Sequence, residues 1–245
     1  MDDSRGIWTA TTDLDLLLRL AGSGFDWLAL DAQHGPLDRG SLHPVARGLA
    51  AAPVPFLVRV PAVDPEWIGA ALDAGAAAVI VPSVEGAEDA ARAVRASRYP
   101  PHGVRSWGPF PPLYGGAAPE PAAADAVPRC WVLVETAGAL TAVDEVAALP
   151  GLGGLFVGPY DLALALGTTV DALLDATAPG DPLPAVVAAG RRHGVLVGAF
   201  AGSPAIAARL RAHGIRCLAV TTDSGVVAVG AAAVLDTLTE PPTGG

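Results

Sequence analysis

The chain has 245 residues, 51% of them hydrophobic, and a formal net charge of −10. This charge, with no basic run, argues against nucleic acid or an anionic membrane surface as a partner, and no apolar segment reaches the ~20 residues of a membrane span. The N-terminus lacks a signal-peptide core and there are only two cysteines, so we expect a cytoplasmic protein with reduced thiols.

Short β-rich runs alternate with stretches of helical period along the chain. The predicted strands are 6–10, 27–32, 56–60, 78–84, 131–135, 155–158, 195–200 and 217–221. The predicted helices are 13–22, 40–51, 65–74, 86–97, 138–148, 161–167, 182–193, 203–213 and 225–238. Eight strand–helix units in about 250 residues are typical of a (β/α)₈ barrel, so we predict one TIM-barrel domain over 1–245. An open doubly wound sheet is the competing fold, but no Gly-x-Gly-x-x-Gly turn follows the first strand.

One segment, 99–129, interrupts the alternation and is rich in Pro, Gly and Ala. A loop of this length within a compact domain is usually functional or flexible. We expect it to lie over the catalytic face of the barrel, as a lid or as packing against a neighbouring subunit.

Of two carboxylates, Glu135 ends the fifth predicted strand and Asp161 follows the sixth. Neighbouring strands of a parallel sheet lie ~4.8 Å apart, and their carboxyl ends form the active-site face of a barrel. Two hard oxygen ligands with open water positions suit Mg²⁺ or Mn²⁺. The two acids therefore predict a divalent-metal site.

Other polar residues also lie at the ends of predicted strands or directly after them. The second strand delivers Asp31, Gln33 and His34, and an acid three residues before the histidine could orient its ring for acid/base work. Arg59 lies within the third strand, which is costly unless its guanidinium meets an anion. The sixth strand is followed by the corner Gly158, Pro159, Tyr160 and Asp161.

The chain contains no lysine, since all its basic residues are arginines. Schiff-base catalysis through a lysine amine is excluded, as are lysine-anchored pyridoxal phosphate and a P-loop. If the protein activates a carbonyl compound, a metal must act as the electron sink.

Several motifs appear together in one order along most of the chain. They are FDWLALDAQHG at 25–35, LVRV at 57–60, DAGA at 73–76, IVPSV at 80–84, RYPPHGVR at 98–105, VET at 134–136 and FVGPYDL at 156–162. In these motifs the chain resembles the HpcH/HpaI aldolase family, the metal-dependent class II pyruvate aldolases. The resemblance implies a (β/α)₈ barrel assembled as a homo-oligomer, usually a hexamer with exchanged C-terminal helices.

The resemblance also implies roles for the residues at the strand ends. Glu135 and Asp161 would hold Mg²⁺, Mn²⁺ or Co²⁺, which chelates the carboxylate and keto oxygens of a pyruvate unit. Arg59 would stabilise the enolate oxygen, and His34, oriented by Asp31, would act with a metal-bound water as acid/base.

Further implied contacts concern substrate binding. Trp8 corresponds to a family tryptophan near the pocket, and the backbone N–H groups of Tyr160 and Asp161 would receive the pyruvate carboxylate. The chain departs from the family pattern at Leu133, where a glutamine is common. Since alternate strand residues share a face, Leu133 removes a polar contact near the metal.

We therefore predict a divalent-metal-dependent aldolase or lyase that acts on 4-hydroxy-2-oxo acids and joins or separates pyruvate and an aldehyde. An oxaloacetate-type decarboxylase and a specialised carbon–carbon-forming biosynthetic enzyme are alternatives on the same site. A phosphorylated substrate bound after the last two strands, at 201–203 and 221–225, is a lower alternative. A non-catalytic binding protein on the same scaffold is another.

Overall fold

The protein is described by a computed structural model for residues 3–239, so both ends of the predicted 1–245 domain lie outside the described residues. Eight parallel strands pair in chain order and close between β1 and β8, which confirms the predicted (β/α)₈ barrel. The strands are β1 (Ser4–Thr9), β2 (Trp27–Asp31), β3 (Phe56–Arg59), β4 (Ala78–Val81), β5 (Cys130–Val134), β6 (Leu152–Val157), β7 (Leu196–Phe200) and β8 (Cys217–Thr222).

Helices connect the strands around the outside of the barrel. They are α1 (Leu14–Ala21), α2 (Arg39–Leu49), α3 (Pro65–Asp73), α4 (Ala87–Ser97), α5 (Pro121–Ala126), α6 (Ala137–Thr141), α7 (Val143–Ala147), α8 (Pro159–Ala165), α9 (Val170–Asp175), α10 (Pro182–His193), α11 (Pro204–Ala212) and α12 (Asp223–Thr239). A short 3₁₀ turn, Pro111–Tyr114, lies between α4 and α5.

Alternation of side chains along the strands divides the core into two layers. One layer lies between the strands and the helices. The other fills the barrel interior and consists of Trp8, Trp27, Ala29, Leu57, Ala78, Ile80, Trp131, Leu133, Phe156, Cys217 and Ala219. Gly6 makes room for the indole of Trp27, because a Cβ at this glycine would lie 2.2 Å from the ring. The interior is therefore packed, and substrates can reach the barrel only at its ends.

Side-chain caps fix where several helices begin on the face that carries the strand carboxyl ends. Asp13, Asp64 and Ser203 each accept a hydrogen bond from a backbone N–H two or three residues further on. Such N-caps satisfy donors that the first helical turn leaves free. They keep the connections from β1, β3 and β7 to their helices short.

The predicted helices differ from the structure at four places. The predicted helix 138–148 is two short helices, α6 and α7, which meet at Ala142. Helices α5 and α9 were not predicted, because six residues are too few to establish a helical period. Helix α8 begins at Pro159 rather than at 161, since a proline is well suited to the first helical position.

The predicted placement of 99–129 over the catalytic face is wrong, because this segment lies at the end of the barrel opposite the strand carboxyl ends. Its packing against a neighbouring subunit stays a prediction. Arg98 donates to the carbonyl oxygen of Pro150, just before β6, and the Phe110 N–H donates to the carbonyl oxygen of Asp73, the last residue of α3 (2.8 Å). Arg105 forms a buried ion pair with the same aspartate (2.6 Å). The reason is topological, since a connection that leads from a helix into a strand lies at the strands' amino ends.

Helix α12 leaves the barrel after its first turn. Asp223 is buried and accepts a hydrogen bond from the Ala10 N–H (3.0 Å), whereas 227–238 are exposed throughout. The exposed side chains include large apolar ones: Val227, Val229, Val234, Leu235 and Leu238. Among the described residues, no helix combines the length and apolar character needed to cross a membrane.

Candidate active site

A cavity of about 210 Å³ opens at the carboxyl ends of the strands, where catalytic groups of TIM barrels lie. Seven of the predicted site residues line it: Trp8, His34, Arg59, Glu135, Gly158, Tyr160 and Asp161. Leu133 and Phe200 complete the lining. Residues far apart in the chain thus meet at one opening.

The two predicted metal ligands lie side by side because β5 and β6 are paired. Glu135 follows β5 and Asp161 lies in the first turn of α8, directly after β6. Glu135 is buried, and its Oε1 accepts a hydrogen bond from the Ser83 N–H (2.7 Å). Burial raises the pKa of Glu135, and the negative charge of Asp161 raises it further. Two acids that oppose each other's ionisation favour a cation between them.

The donor set fits a hard divalent cation. A Cβ at Gly158 would lie 3.2 Å from Oε2 of Glu135, so the glycine keeps space open beside the second carboxylate oxygen. Within residues 3–239, no group of three or more His, Cys, Asp or Glu side chains could hold a metal. The pair therefore supplies only two protein ligands, an arrangement that suits Mg²⁺, which keeps several waters, rather than a closed four-ligand zinc site.

Arg59 forms an ion pair with another side chain of the protein, Asp31. It is the register partner of Asp31 across β2 and β3, and its Nε and Nη2 donate to the two oxygens of that carboxylate, the first at 3.0 Å. Trp8 Nε1 also donates to Asp31 (3.2 Å), and the guanidinium carbon lies 5.1 Å from the indole centroid. Burial alone would raise the pKa of Asp31, but the hydrogen bonds and charge of Arg59 lower it. The ion pair fixes the guanidinium at the cavity wall.

The contact between Asp31 and His34 differs from the expectation that the acid orients the imidazole ring. Oδ1 of Asp31 accepts from the backbone N–H groups of Gln33 (2.9 Å) and His34 (3.1 Å). Both oxygens of the carboxylate are engaged by Arg59, which draws Asp31 toward β3. Asp31 therefore positions His34 through the backbone, and the exposed imidazole lies at the cavity mouth.

Two predicted substrate-binding residues are not part of the cavity lining. The Oε1 atom of Gln33 is buried and has no hydrogen-bond partner among the described residues. Pro159 is buried as the first residue of α8. Its position shapes the corner that carries Tyr160 and Asp161, so its effect on the site is indirect.

Sequence reasoning missed Phe200 and Ser83. Phe200 ends β7 and packs edge-on against Trp8, with ring centroids 5.4 Å apart. Its position at the end of a strand is the signal that could have identified it. Ser83 contributes only its backbone N–H, so its residue type carries no signal. Leu133 does line the cavity, which places an apolar side chain one pleat below Glu135.

The loop after β8 is poorly suited to an anion. Asp223 places a buried carboxylate there, and Thr222 Oγ1 accepts the Gly225 N–H (2.9 Å). A negative charge and internally satisfied donors disfavour phosphate. This weakens the alternative of a phosphorylated substrate.

Known proteins share both the sequence and the fold. The chain is 35% identical over 232 residues to the hydroxypyruvate/pyruvate aldolase of Paraburkholderia phytofirmans, covering 89% of this chain and 86% of the relative. It is 38% identical over 197 residues to the 4-hydroxy-2-oxovalerate aldolase of Novosphingobium aromaticivorans, covering 78% and 74%.

A solved structure is also similar. The crystal structure of an HpcH/HpaI aldolase/citrate lyase family protein from Burkholderia cenocepacia J2315 superimposes with a TM-score of 0.84 at 33% identity, covering 98% of this chain and 95% of that one. The family model described as HpcH/HpaI aldolase/citrate lyase matches residues 5–229. The motifs, the barrel and these similarities agree, and the chain belongs to the HpcH/HpaI aldolase/citrate lyase family.

Proposed function

We propose that this protein is a divalent-metal-dependent aldolase that cleaves or forms the bond between the methyl carbon of pyruvate and the carbonyl carbon of an aldehyde. The observation that carries the proposal is the pairing of Glu135 and Asp161 in one cavity with Arg59 and His34. Relatives named as aldolases of 2-oxo acids support it. Mg²⁺ is the proposed ion, with Mn²⁺ or Co²⁺ as substitutes, held by the two carboxylates.

The reaction requires stabilisation of a pyruvate enolate. In the cleavage direction, a base removes the proton from the 4-hydroxyl, the bond between C3 and C4 breaks, and its electrons pass to the C2 carbonyl oxygen. The aldehyde leaves, and the enolate takes a proton at C3 to give pyruvate. When bound, the cation acts as a Lewis acid toward the carbonyl oxygen of the substrate.

The side chains of the cavity have separate tasks. Arg59, held rigid by Asp31, places a positive charge where the enolate oxygen develops, which is preorganised electrostatic stabilisation. His34 at the mouth is placed to accept and return the hydroxyl proton. Trp8 and Phe200 form an apolar wall that excludes water from the enolate.

Chelation is expected to abolish the activity. In D₂O, the metal-loaded protein should exchange the methyl protons of pyruvate for deuterium, measured by NMR, because enolate formation needs no aldehyde. Exhaustive treatment with EDTA should lower the exchange rate by about 10²-fold or more, since a Lewis acid supplies several kcal/mol, and added Mg²⁺ should restore it.

Two outcomes would contradict the proposal. Exchange that survives EDTA would end the argument for a metal. Rapid pyruvate release from oxaloacetate, with no exchange and no product from pyruvate plus an aldehyde, would instead favour the decarboxylase alternative. Protein-free samples with the same Mg²⁺ control for decarboxylation by the ion alone.

We further propose that the protein is a homo-oligomer that buries the exposed, predominantly apolar part of α12, residues 227–238. Leu235 is 61% and Val234 is 65% exposed in one chain, and contiguous apolar surface of this kind marks protein contacts. Leu235→Asp is expected to dissociate the assembly, measured by sedimentation velocity. Leu18→Asp, a matched change at an exposed leucine on α1, should keep the native mass. A monomeric wild-type protein would contradict the proposal.

A further inference from the structure

The loop after β4 has an unusual backbone at Ser83. Ser83 has φ of 55° and is the one non-glycine residue with positive φ among residues 3–239. This left-handed conformation costs a non-glycine residue about 1 kcal/mol or more, and it persists only where the surroundings enforce it. The serine hydroxyl does not enforce it, since the residue is exposed and its only hydrogen bond found among the described residues is made by the backbone N–H.

The surroundings do enforce it from the side of α6. Thr136, the N-cap of α6, donates through Oγ1 to the carbonyl oxygen of Val84 (2.7 Å). The carbonyl oxygen of Glu85 lies so close to Gly138 that a Cβ there would be 2.1 Å away. The two residues after Ser83 are thus fixed against the start of α6, which directly follows Glu135.

The result of this conformation is a single directed hydrogen bond. The Ser83 N–H donates to Oε1 of Glu135 at 2.7 Å, so this oxygen already has a hydrogen-bond partner. Oε2 is the oxygen beside the space that Gly158 leaves open, 3.2 Å from where a Cβ would be. A carboxylate held at one oxygen presents the other oxygen in a fixed direction. Hydrogen-bond partners of metal ligands commonly orient the ligands in this way.

We infer that Ser83 is a positioning residue, whose left-handed backbone directs an N–H at Glu135 and so sets which carboxylate oxygen binds the cation. The inference rests on the proposed function, because it assumes that Glu135 is a metal ligand. It adds a requirement on backbone conformation at a position that contributes no side chain to the site.

The test compares two substitutions with opposite backbone preferences. Valine strongly disfavours positive φ, whereas glycine adopts it freely. Ser83→Val is expected to weaken Mn²⁺ binding, measured by electron paramagnetic resonance of the free ion, by about 10-fold, the usual effect of losing a partner of a metal ligand. Ser83→Gly should keep the Mn²⁺ affinity within about 3-fold of wild type. Ser106→Val, an exposed serine in the segment at the opposite end of the barrel, is the matched control.

The hydrogen bond from the Ser83 N–H to Glu135 can also be tested in the absence of a metal. In the metal-free protein the Ser83 amide should exchange slowly with solvent, although the residue is exposed, and Glu135→Ala should raise its exchange rate at least about 10-fold. Equal Mn²⁺ affinity in Ser83→Val and wild type, or equal weakening in the valine and glycine variants, would overturn the inference. If wild type binds no Mn²⁺, the proposed function fails, and amide exchange alone decides whether Ser83 holds Glu135.

Discussion

Replacing Glu135 with glutamine is expected to lower kcat/KM for aldehyde addition to pyruvate by about 10³-fold. A neutral amide is a poor ligand for a hard cation, and loss of the Lewis acid removes several kcal/mol of transition-state stabilisation, where about 4 kcal/mol corresponds to 10³-fold. The fold should persist, because the amide oxygen can still accept the Ser83 N–H. Steady-state kinetics and circular dichroism measure the two effects.

The control for this variant is Glu145→Gln, the same chemical change at an exposed position on α7. Its kcat/KM should equal that of wild type. A folded Glu135→Gln protein with normal kcat/KM would show that Glu135 holds no catalytic ion, and the non-catalytic or metal-free alternatives would then need to be reconsidered.

Replacing Asp31 with asparagine is expected to lower the free energy of unfolding by about 3 kcal/mol at pH 7. The side chains of Asp31 and Arg59 are 5% and 11% exposed, and removing one partner of a buried ion pair leaves the other charge uncompensated. The asparagine amide can also no longer receive all the donors that surround the carboxylate. Urea denaturation measures the difference.

The same variant should show a characteristic pH dependence. The pKa of Asp31 is lowered in the folded protein, so its ionised form stabilises the fold above the unfolded-state pKa of about 3.9. This stabilisation is lost as the pH falls through the lowered pKa, and the deficit of Asp31→Asn should therefore shrink below about pH 4. A deficit that is constant with pH would indicate a packing defect rather than a lost ion pair.

Asp26→Asn is the matched control, because Asp26 pairs with Arg5 at the surface, with side chains 45% and 67% exposed. Its effect on stability should stay below about 1 kcal/mol, as for other exposed pairs. Activity separates the two sites further. Asp31→Asn should lower kcat/KM by about 10²-fold, since Arg59 loses the partner that aims it at the substrate.

The site was predictable where a charged side chain ends a strand. Glu135 and Asp161 are conspicuous because each acid directly follows an apolar run, and the barrel topology then brings them together. The arginine within β3 also indicated an anion nearby. Which anion it meets depends on strand register, because Asp31 rather than Glu135 lies opposite Arg59. Register between strands 28 residues apart is not encoded in either strand alone.

Two other features were beyond the reach of sequence patterns. Ser83 acts through its backbone, and a positive φ at a serine comes from packing against α6 rather than from the residue itself. The apolar pattern predicts the C-terminal helix but not its departure from the barrel, since an apolar composition normally indicates burial. Only the family resemblance, with its exchanged C-terminal helices, implies that departure. The positive φ of Ser83 and the exposure of α12 are seen only in the tertiary structure.

The placement of 99–129 at the amino ends of the strands also bears on where the chain can change in length. Within one chain, the packed interior stands between this segment and the cavity, so insertions or deletions there alter the base of the molecule and leave the reacting groups in place. Within a single chain, a difference in loop length at this position therefore leaves the lining of the cavity unchanged. For the engineer, this is the end at which to attach a peptide or a surface anchor without obstructing catalysis.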